Sequence, residues 1–259
     1  MIDYMDVTER ANDLVSAEQV ERLQRRYMWA RGYCVKRDVH ELACGTGQGS
    51  GVLAEVAASF AASDQSDPML EQARRHYGMR FPVRKLDAQA LPLPDATLDV
   101  LVLFEALYYL PDADAFFARA WRVLRPGGVL LLATANKDLY DFNPSPHSSE
   151  YLGVRELTER LGRAGFQVAA FGDTPVAAGS PMQRALRPIK NIASRLGLIP
   201  KSMEAKKLLK RIVFGKLVAM PEEITATGVS PAPPTTLPAG HPDHRHKVIF
   251  CAATRLAST

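Results

Sequence analysis

Val39-His40-Glu41-Leu42-Ala43-Cys44-Gly45-Thr46-Gly47-Gln48-Gly49, followed by the apolar run Val52-Leu53-Ala54, decides how the rest of this chain is read. The residues before Ala43 read as the end of a buried strand, the glycines as a turn, and the run after them as the opening of a helix. Such a junction lets a ligand approach the backbone closely. No Gly-Lys-Ser/Thr closes the loop, which excludes a phosphate-gripping P-loop, and the spacing is not the G-x-G-x-x-G of a dinucleotide site. The pattern is instead acid-x-x-x-Gly-x-Gly, with Glu41 ahead of Gly45 and Gly47. A carboxylate there repels a pyrophosphate and attracts an ammonium or sulfonium, so the ligand implied is cationic. Glycine turns also close ordinary strand-to-helix junctions, so a ligand site here needs support from the strands and acids further along the chain.

That support comes in order. Ser59-Phe60-Ala61-Ala62-Ser63 reads as a second strand ending at Asp64, 19 positions after Gly45. A carboxylate there can accept two hydrogen bonds from a ribose diol; its alternative use is as the N-cap of the next helix. Phe81–Leu86 reads as a third strand closed by Asp87-Ala88, and Leu91-Pro92-Leu93-Pro94-Asp95 leads to the very apolar Val100-Leu101-Val102-Leu103-Phe104. Continuous apolar runs suit the centre of a parallel sheet. Arg125-Pro126-Gly127-Gly128 then forms a turn before Val129-Leu130-Leu131-Leu132-Ala133.

In this order and spacing, residues 35–135 resemble the class I S-adenosylmethionine-dependent methyltransferases, whose first motif is an acid-x-Gly-x-Gly-x-Gly loop. Ala43 stands where that pattern has its first glycine, a departure that bears on the loop dihedrals rather than on the family. Asp64-Gln65-Ser66 with Met69-Leu70 and Ala73-Arg74 also looks like the family. The resemblance implies an α/β, Rossmann-like methyltransferase fold: a seven-stranded, mostly parallel sheet flanked by helices. It implies S-adenosylmethionine as cofactor, held by Glu41, Ala43, Gly45, Gly47, Asp64, Gln65, Asp87 and Ala88, the last two against the adenine. Tyr27 either reaches the cofactor or packs in the core. Ligands of open α/β sheets sit at the carboxyl ends of the strands, which makes Phe104, Glu105 and Tyr108 candidates to line the methyl-transfer pocket.

With 259 residues, 47% hydrophobic and 23% charged, the chain has globular composition and length for a full core. The mixed, acidic start Met1-Ile2-Asp3-Tyr4-Met5-Asp6 is unlike a secretory signal, and no apolar run is long enough to span a bilayer. The expectation is a cytoplasmic protein. Cys34, Cys44 and Cys251, odd in number and far apart, argue against a disulfide framework or a zinc site. Cys44 reads as a small apolar filler or a catalytic thiol. No metal-ligand cluster stands out, so metal-independent chemistry is expected.

Residues 1–34 are expected as an N-terminal helical cover, one or two helices over 8–31 with Thr8 or Ser16 as N-caps. Residues 35–172 and 245–259 are expected as the methyltransferase core, with His246–Ala253 as the last strand, antiparallel within the sheet. Residues 173–244 are then an insertion before that strand, helical over 182–196 and 203–218, with an extended, proline-rich return. Between Met182 and Lys216 stand ten Lys or Arg against one acid, in a chain of net charge +4. That segregation reads as a substrate cap attracting an anionic acceptor, as a membrane-surface contact, or as solvated helices with no partner.

The polar loop 136–151 leaves a central strand where an acceptor would be held. His147 is the first candidate for a general base, Tyr140 the second, and Glu105 the third. The reading is a methyltransferase acting on a small-molecule or saccharide hydroxyl, on an anionic acceptor. Its alternatives are an RNA methyltransferase using the basic insertion, and a non-catalytic S-adenosylmethionine-binding protein.

Overall fold

A computed structural model describes residues 10–145, 147–176, 217–226 and 232–257. The N-terminal cover is a short strand, β1 (Leu14–Ser16), running directly into helix α1 (Ala17–Cys34). Ser16 starts α1 through a capping box: its hydroxyl accepts the Gln19 N–H at 3.3 Å, and the Gln19 side chain accepts the Ser16 N–H at 2.8 Å. One helix thus stands where one or two were expected, and Thr8 lies outside the described residues. Leu23, Tyr27, Ala30 and Cys34 form its buried face. Ser16→Ala should lower the unfolding free energy by about 1 kcal/mol, measured by urea denaturation, because it leaves an amide of the first turn without its acceptor.

The sheet is built outward from β2 (Asp38–Leu42). On one side lie β3 (Ser59–Asp64) and β4 (Val83–Lys85); on the other lie β5 (Leu98–Phe104) and β6 (Leu124–Ala135), all parallel. Next to β6 comes β10 (His246–Arg255), antiparallel to both β6 and β7 (Phe166–Pro175). Helices α2 (Ser50–Ala54), α3 (Asp67–Tyr77), α4 (Ala113–Val123) and α5 (Val154–Arg163) complete the layers. Period-two alternation along β5 sends Val100, Val102 and Phe104 into a core shared with α1, and Leu101 and Leu103 into a second core with Phe116, Phe117 and Leu157. Both faces of the central strands are therefore buried, as their unbroken apolar runs require.

The Rossmann-like fold is the expected one, with a corrected strand count. The sheet has eight strands, in the order β4-β3-β2-β5-β6-β10-β7-β9, because β9 (Thr235–Leu237) adds antiparallel to the outer edge of β7. β-branched Thr235 and Thr236 suit an edge, and Pro234 and Pro238 on either side confine it to three residues. A further strand, β8 (Leu217–Ala219), pairs antiparallel with β1, so Leu217 and Val218 are not the end of a helix as expected. The helix expected over 182–196, and all but those two residues of the one expected over 203–218, lie outside the described residues. Arg125–Gly128, expected as a free turn, bulge within β6: the register with β5 shifts between Leu98↔Leu124 and Val100↔Val129. Among the described residues no helix is long and apolar enough to cross a membrane.

From β2 the chain winds through β3 to β4, then returns to lay β5 on the other flank of β2. That reversal opens a crevice at the carboxyl ends of β2 and β5.

Candidate active site

The crevice is a cleft of about 1070 Å³. Its floor is the loop after β2, whose backbone turns left-handed at Ala43 (φ 52°), Gly45 (φ 59°) and Gly47 (φ 83°). Ala43 holds at the position of the missing glycine a conformation that alanine adopts only at a cost of about 1–3 kcal/mol. Two glycines of the loop are needed for space. A Cβ on Gly47 would meet the Tyr77 ring at 2.7 Å, and one on Gly49 would meet the Tyr27 ring at 2.2 Å. Closely packed aromatics thus fix the loop from both flanks.

Of the residues expected to hold a cofactor, Tyr27, Ala43, Gly45, Asp64, Gln65, Asp87, Ala88 and Phe104 line the cleft. Asp64, at the end of β3, accepts the Gly45 N–H at 2.9 Å with one carboxylate oxygen and the Ser66 N–H at 2.8 Å with the other. Burial raises its pKa, and these backbone amides pull it back down. The carboxylate keeps acceptor capacity toward the cleft for a ribose hydroxyl. Asp87 accepts from the Gln65 side-chain amide at 3.0 Å and from the Gln89 N–H at 2.8 Å, beside buried Ala88. Two carboxylates at adjacent strand ends, with Met69, Leu86 and Ala88 as apolar walls, have the donor and acceptor set of a nucleoside pocket. They suit S-adenosylmethionine.

Glu41 and Gly47 do not line the cleft, and neither does Tyr140, which is 72% exposed. Glu41 is only 1% exposed and lies behind the loop, accepting from the Tyr27 hydroxyl and from the Ser50 hydroxyl at 2.6 Å. It fastens α1 to the start of α2, just past the glycine loop, and does not line the cleft. Burial lifts its carboxyl from 4.5 to about 7, against the pull of the Ser50 and Tyr27 hydrogen bonds. Tyr27 both packs and reaches the cleft: it is 5% exposed, edge-on to Phe104 with ring centroids 5.3 Å apart. Cys44 lines the cleft but is buried, and burial pushes its thiol well above the ordinary range, as suits a filler rather than a nucleophile.

Past Phe104 the cleft continues between the end of β5 and the loop after β6. Glu105, in a left-handed conformation (φ 49°), accepts from the Tyr108 hydroxyl at 3.1 Å and pairs with Arg26 of α1 at 3.1 Å. His147 lines the same compartment, near Tyr109, Phe142 and Ser145. Tyr151 stacks on Tyr108 with ring centroids 4.3 Å apart, and the Ser149 N–H donates to the Tyr108 carbonyl at 2.7 Å. These contacts hold the two loops together.

Several lining residues were not singled out from sequence. Gln19, Arg22 and Arg26 come from one face of α1, and their three- and four-residue spacing in a helix expected to cover the cofactor was a usable signal. Asn136 and Lys247 had none, since only the antiparallel pairing of β10 with β6 brings them together.

Residues 40–132 match the family described as "Methyltransferase domain". A protein of Mycolicibacterium smegmatis named as a probable S-adenosylmethionine-dependent methyltransferase is 38% identical over 139 residues, 52% of this chain and 54% of the relative. A malonyl-[acyl-carrier protein] O-methyltransferase of Hahella chejuensis is 25% identical over 78% of this chain and 76% of its own length. The chain spans about half the length of the curated mycobacterial relatives it matches. Among solved structures, the YcgJ protein of Bacillus subtilis superposes with a TM-score of 0.59 at 16% identity, over 92% of this chain and 100% of that one, a likeness of fold alone. Over residues 40–132 the chain thus carries the match to the methyltransferase domain, and around that stretch it is similar to proteins named as S-adenosylmethionine-dependent methyltransferases.

Proposed function

We propose that this protein transfers the methyl group of S-adenosylmethionine to a hydroxyl of a small-molecule or saccharide acceptor that carries an anionic group. The observation that carries the reading is the continuity of the cleft from Asp64 and Asp87, past Phe104, to a compartment of mixed aromatic and polar lining: Tyr109, Phe142, Asn143, Ser145 and His147. Aromatic faces beside amide and hydroxyl groups suit a sugar ring, whose C–H faces are apolar and whose rim is polar. The O-methyltransferase named among the relatives agrees with a hydroxyl or carboxyl oxygen as the nucleophile.

When bound, S-adenosylmethionine supplies a methyl group already activated on a sulfonium. The chain's own work is alignment and proton removal. In this reading Asp64 and Asp87 hold the nucleoside, Gln65 braces Asp87, Ala43 and Gly45 shape the floor, and Tyr27 and Phe104 exclude water from the reacting centre. His147 takes the acceptor proton. Helix α1 covers the cofactor, a role supported by Gln19, Leu23 and Tyr27 in the cleft lining; of the stretch 173–244 expected as an acceptor cap, Asp173–Pro175 and Thr235–Leu237 belong to the sheet and Met220 lines the cleft.

Calorimetric titration with S-adenosylmethionine and S-adenosylhomocysteine, followed by a mass-shift assay over hydroxylated acceptors, tests this. Micromolar binding of both and a methylated saccharide support it; a folded protein that binds neither ends it. Asp64→Ala should weaken S-adenosylhomocysteine binding about tenfold through loss of charge-assisted hydrogen bonds. Unchanged affinity would remove Asp64 from the ribose site.

A further inference from the structure

Along α1, Glu18, Arg22 and Arg26 succeed one another at four-residue spacing, which stacks them in a row. The outer two are tied across to the sheet. Glu18 accepts from Lys247 of β10 at 2.6 Å, and Arg26 pairs with Glu105 after β5 at 3.1 Å, its guanidinium also 5.6 Å from the centre of the Phe104 ring. These two clamps fix where Arg22 stands. It lies between the β5 end and the β10 end of the cleft, on the flank opposite Asp64 of β3 and the Asp87 loop after β4. That is the acceptor flank.

Three Lys or Arg line the cleft among the described residues: Arg22, Arg26 and Lys247. Two have carboxylate partners, and Arg22 has none among the described residues. It is partly buried, on a helix whose register is fixed by the Ser16 cap below and the Tyr27–Glu41 fastener above. A guanidinium carried into the cleft lining on a fixed helix, with its two neighbouring cations neutralised, presents a positive charge uncompensated among the described residues and a planar fork of donors. That geometry matches an oxyanion.

We propose that Arg22 binds an anionic oxygen group of the acceptor, a carboxylate or a phosphate, and thereby sets which acceptors are methylated. The proposal rests on the function proposed above and deepens it by assigning the anion to a residue. Ionic docking at Arg22 anchors one end of the acceptor on α1 and leaves its hydroxyl rim toward His147. Arg22 is a specificity residue: it selects the acceptor and does not take part in methyl transfer.

The test uses the full chain saturated with S-adenosylhomocysteine and titrated by calorimetry with glucose 6-phosphate, glucuronate and neutral glucose. Binding of S-adenosylhomocysteine by the wild type establishes the cofactor reading first, so its failure is seen separately. The expected result is that at least one anionic sugar binds and glucose does not; which of them binds distinguishes phosphate from carboxylate. Arg22→Gln should weaken that binding about tenfold or more, while Arg22→Lys recovers part of it, because charge is retained and the fork is lost. Circular dichroism and unchanged S-adenosylhomocysteine affinity guard against a merely structural effect. Equal binding of glucose and the anionic sugars, no binding of either anionic sugar, or Arg22→Gln binding them like the wild type would overturn the proposal. So would loss of S-adenosylhomocysteine affinity in Arg22→Gln, which would place the residue on the cofactor's own carboxylate.

Discussion

Glu41→Gln is expected to gain stability over the wild type as pH rises, by about 3 kcal/mol between pH 4.5 and pH 8. The folded chain holds the Glu41 carboxyl at about 7, chiefly because burial removes it from water, while its ordinary value is 4.5. Between those two values the folded protein binds a proton that the unfolded chain releases. The wild type is therefore most favoured below pH 4.5 and loses stability as pH climbs through 7, the reverse of a salt-bridged acid. A glutamine of the same shape carries no proton linkage, and its amide oxygen still accepts from Tyr27 or Ser50. Urea unfolding of both proteins at pH 5 and pH 8 reads the effect as the change in their difference, which cancels any fixed cost of the substitution. A difference that stays flat across this range would mean that the carboxyl ionises in the fold as it does in the unfolded chain.

The same residue shows how far local sequence reaches. Strand, glycine turn and helix are local features, and the acids at successive strand ends come after them at regular distances. The parallel half of the sheet could thus be placed from order alone, from β2 through β6. The role of Glu41 could not be read from its distance to the glycines, but parity contains it. Glu41 lies two residues from Val39 and shares its face, and Val39 packs in the core under α1, while Leu42 belongs to the core on the other face of the sheet. An acid on the face that a helix covers is a fastener before it is a ligand.

The elements that escaped sequence reading are made by pairing across long stretches of chain. Leu14–Ser16 becomes a strand because Leu217–Ala219 lies beside it, and Thr235–Leu237 because β7 offers an open edge. Three residues have too few side chains to show a period, and loop closure over such lengths is not encoded locally. The flank proposed for the acceptor suffers from the same cause. It is assembled from α1, the loop after β6 and the start of β10, and only the fold brings Arg22 and Lys247 to one cavity. The flank proposed for the cofactor draws most of its residues from one winding of the chain, β2 through β4, so its cleft-lining members lie in sequence order.

His147→Ala is expected to lower turnover about 100-fold near neutral pH while leaving S-adenosylhomocysteine affinity within about twofold of the wild type. The reason is positional. His147 is exposed to the cleft from a loop whose flanks are pinned: Ser145 shares a hydrogen bond of 2.6 Å with the Tyr109 hydroxyl and donates its N–H to Tyr151 at 3.0 Å, and Ser149 is bonded to Tyr108. The left-handed backbone at His147 (φ 66°) marks a conformation that the surrounding contacts must impose. Tyr140, the second base candidate, is exposed and does not line the cleft, and Tyr140→Phe should leave turnover unchanged. Added imidazole should restore part of the lost rate in His147→Ala, since a small base can enter the space that the side chain leaves; a purely structural role would show no such rescue. Equal turnover in mutant and wild type would mean that the acceptor loses its proton without His147. Glu105, hydrogen-bonded by Tyr108 at the other wall of the same compartment, would then be the base to test.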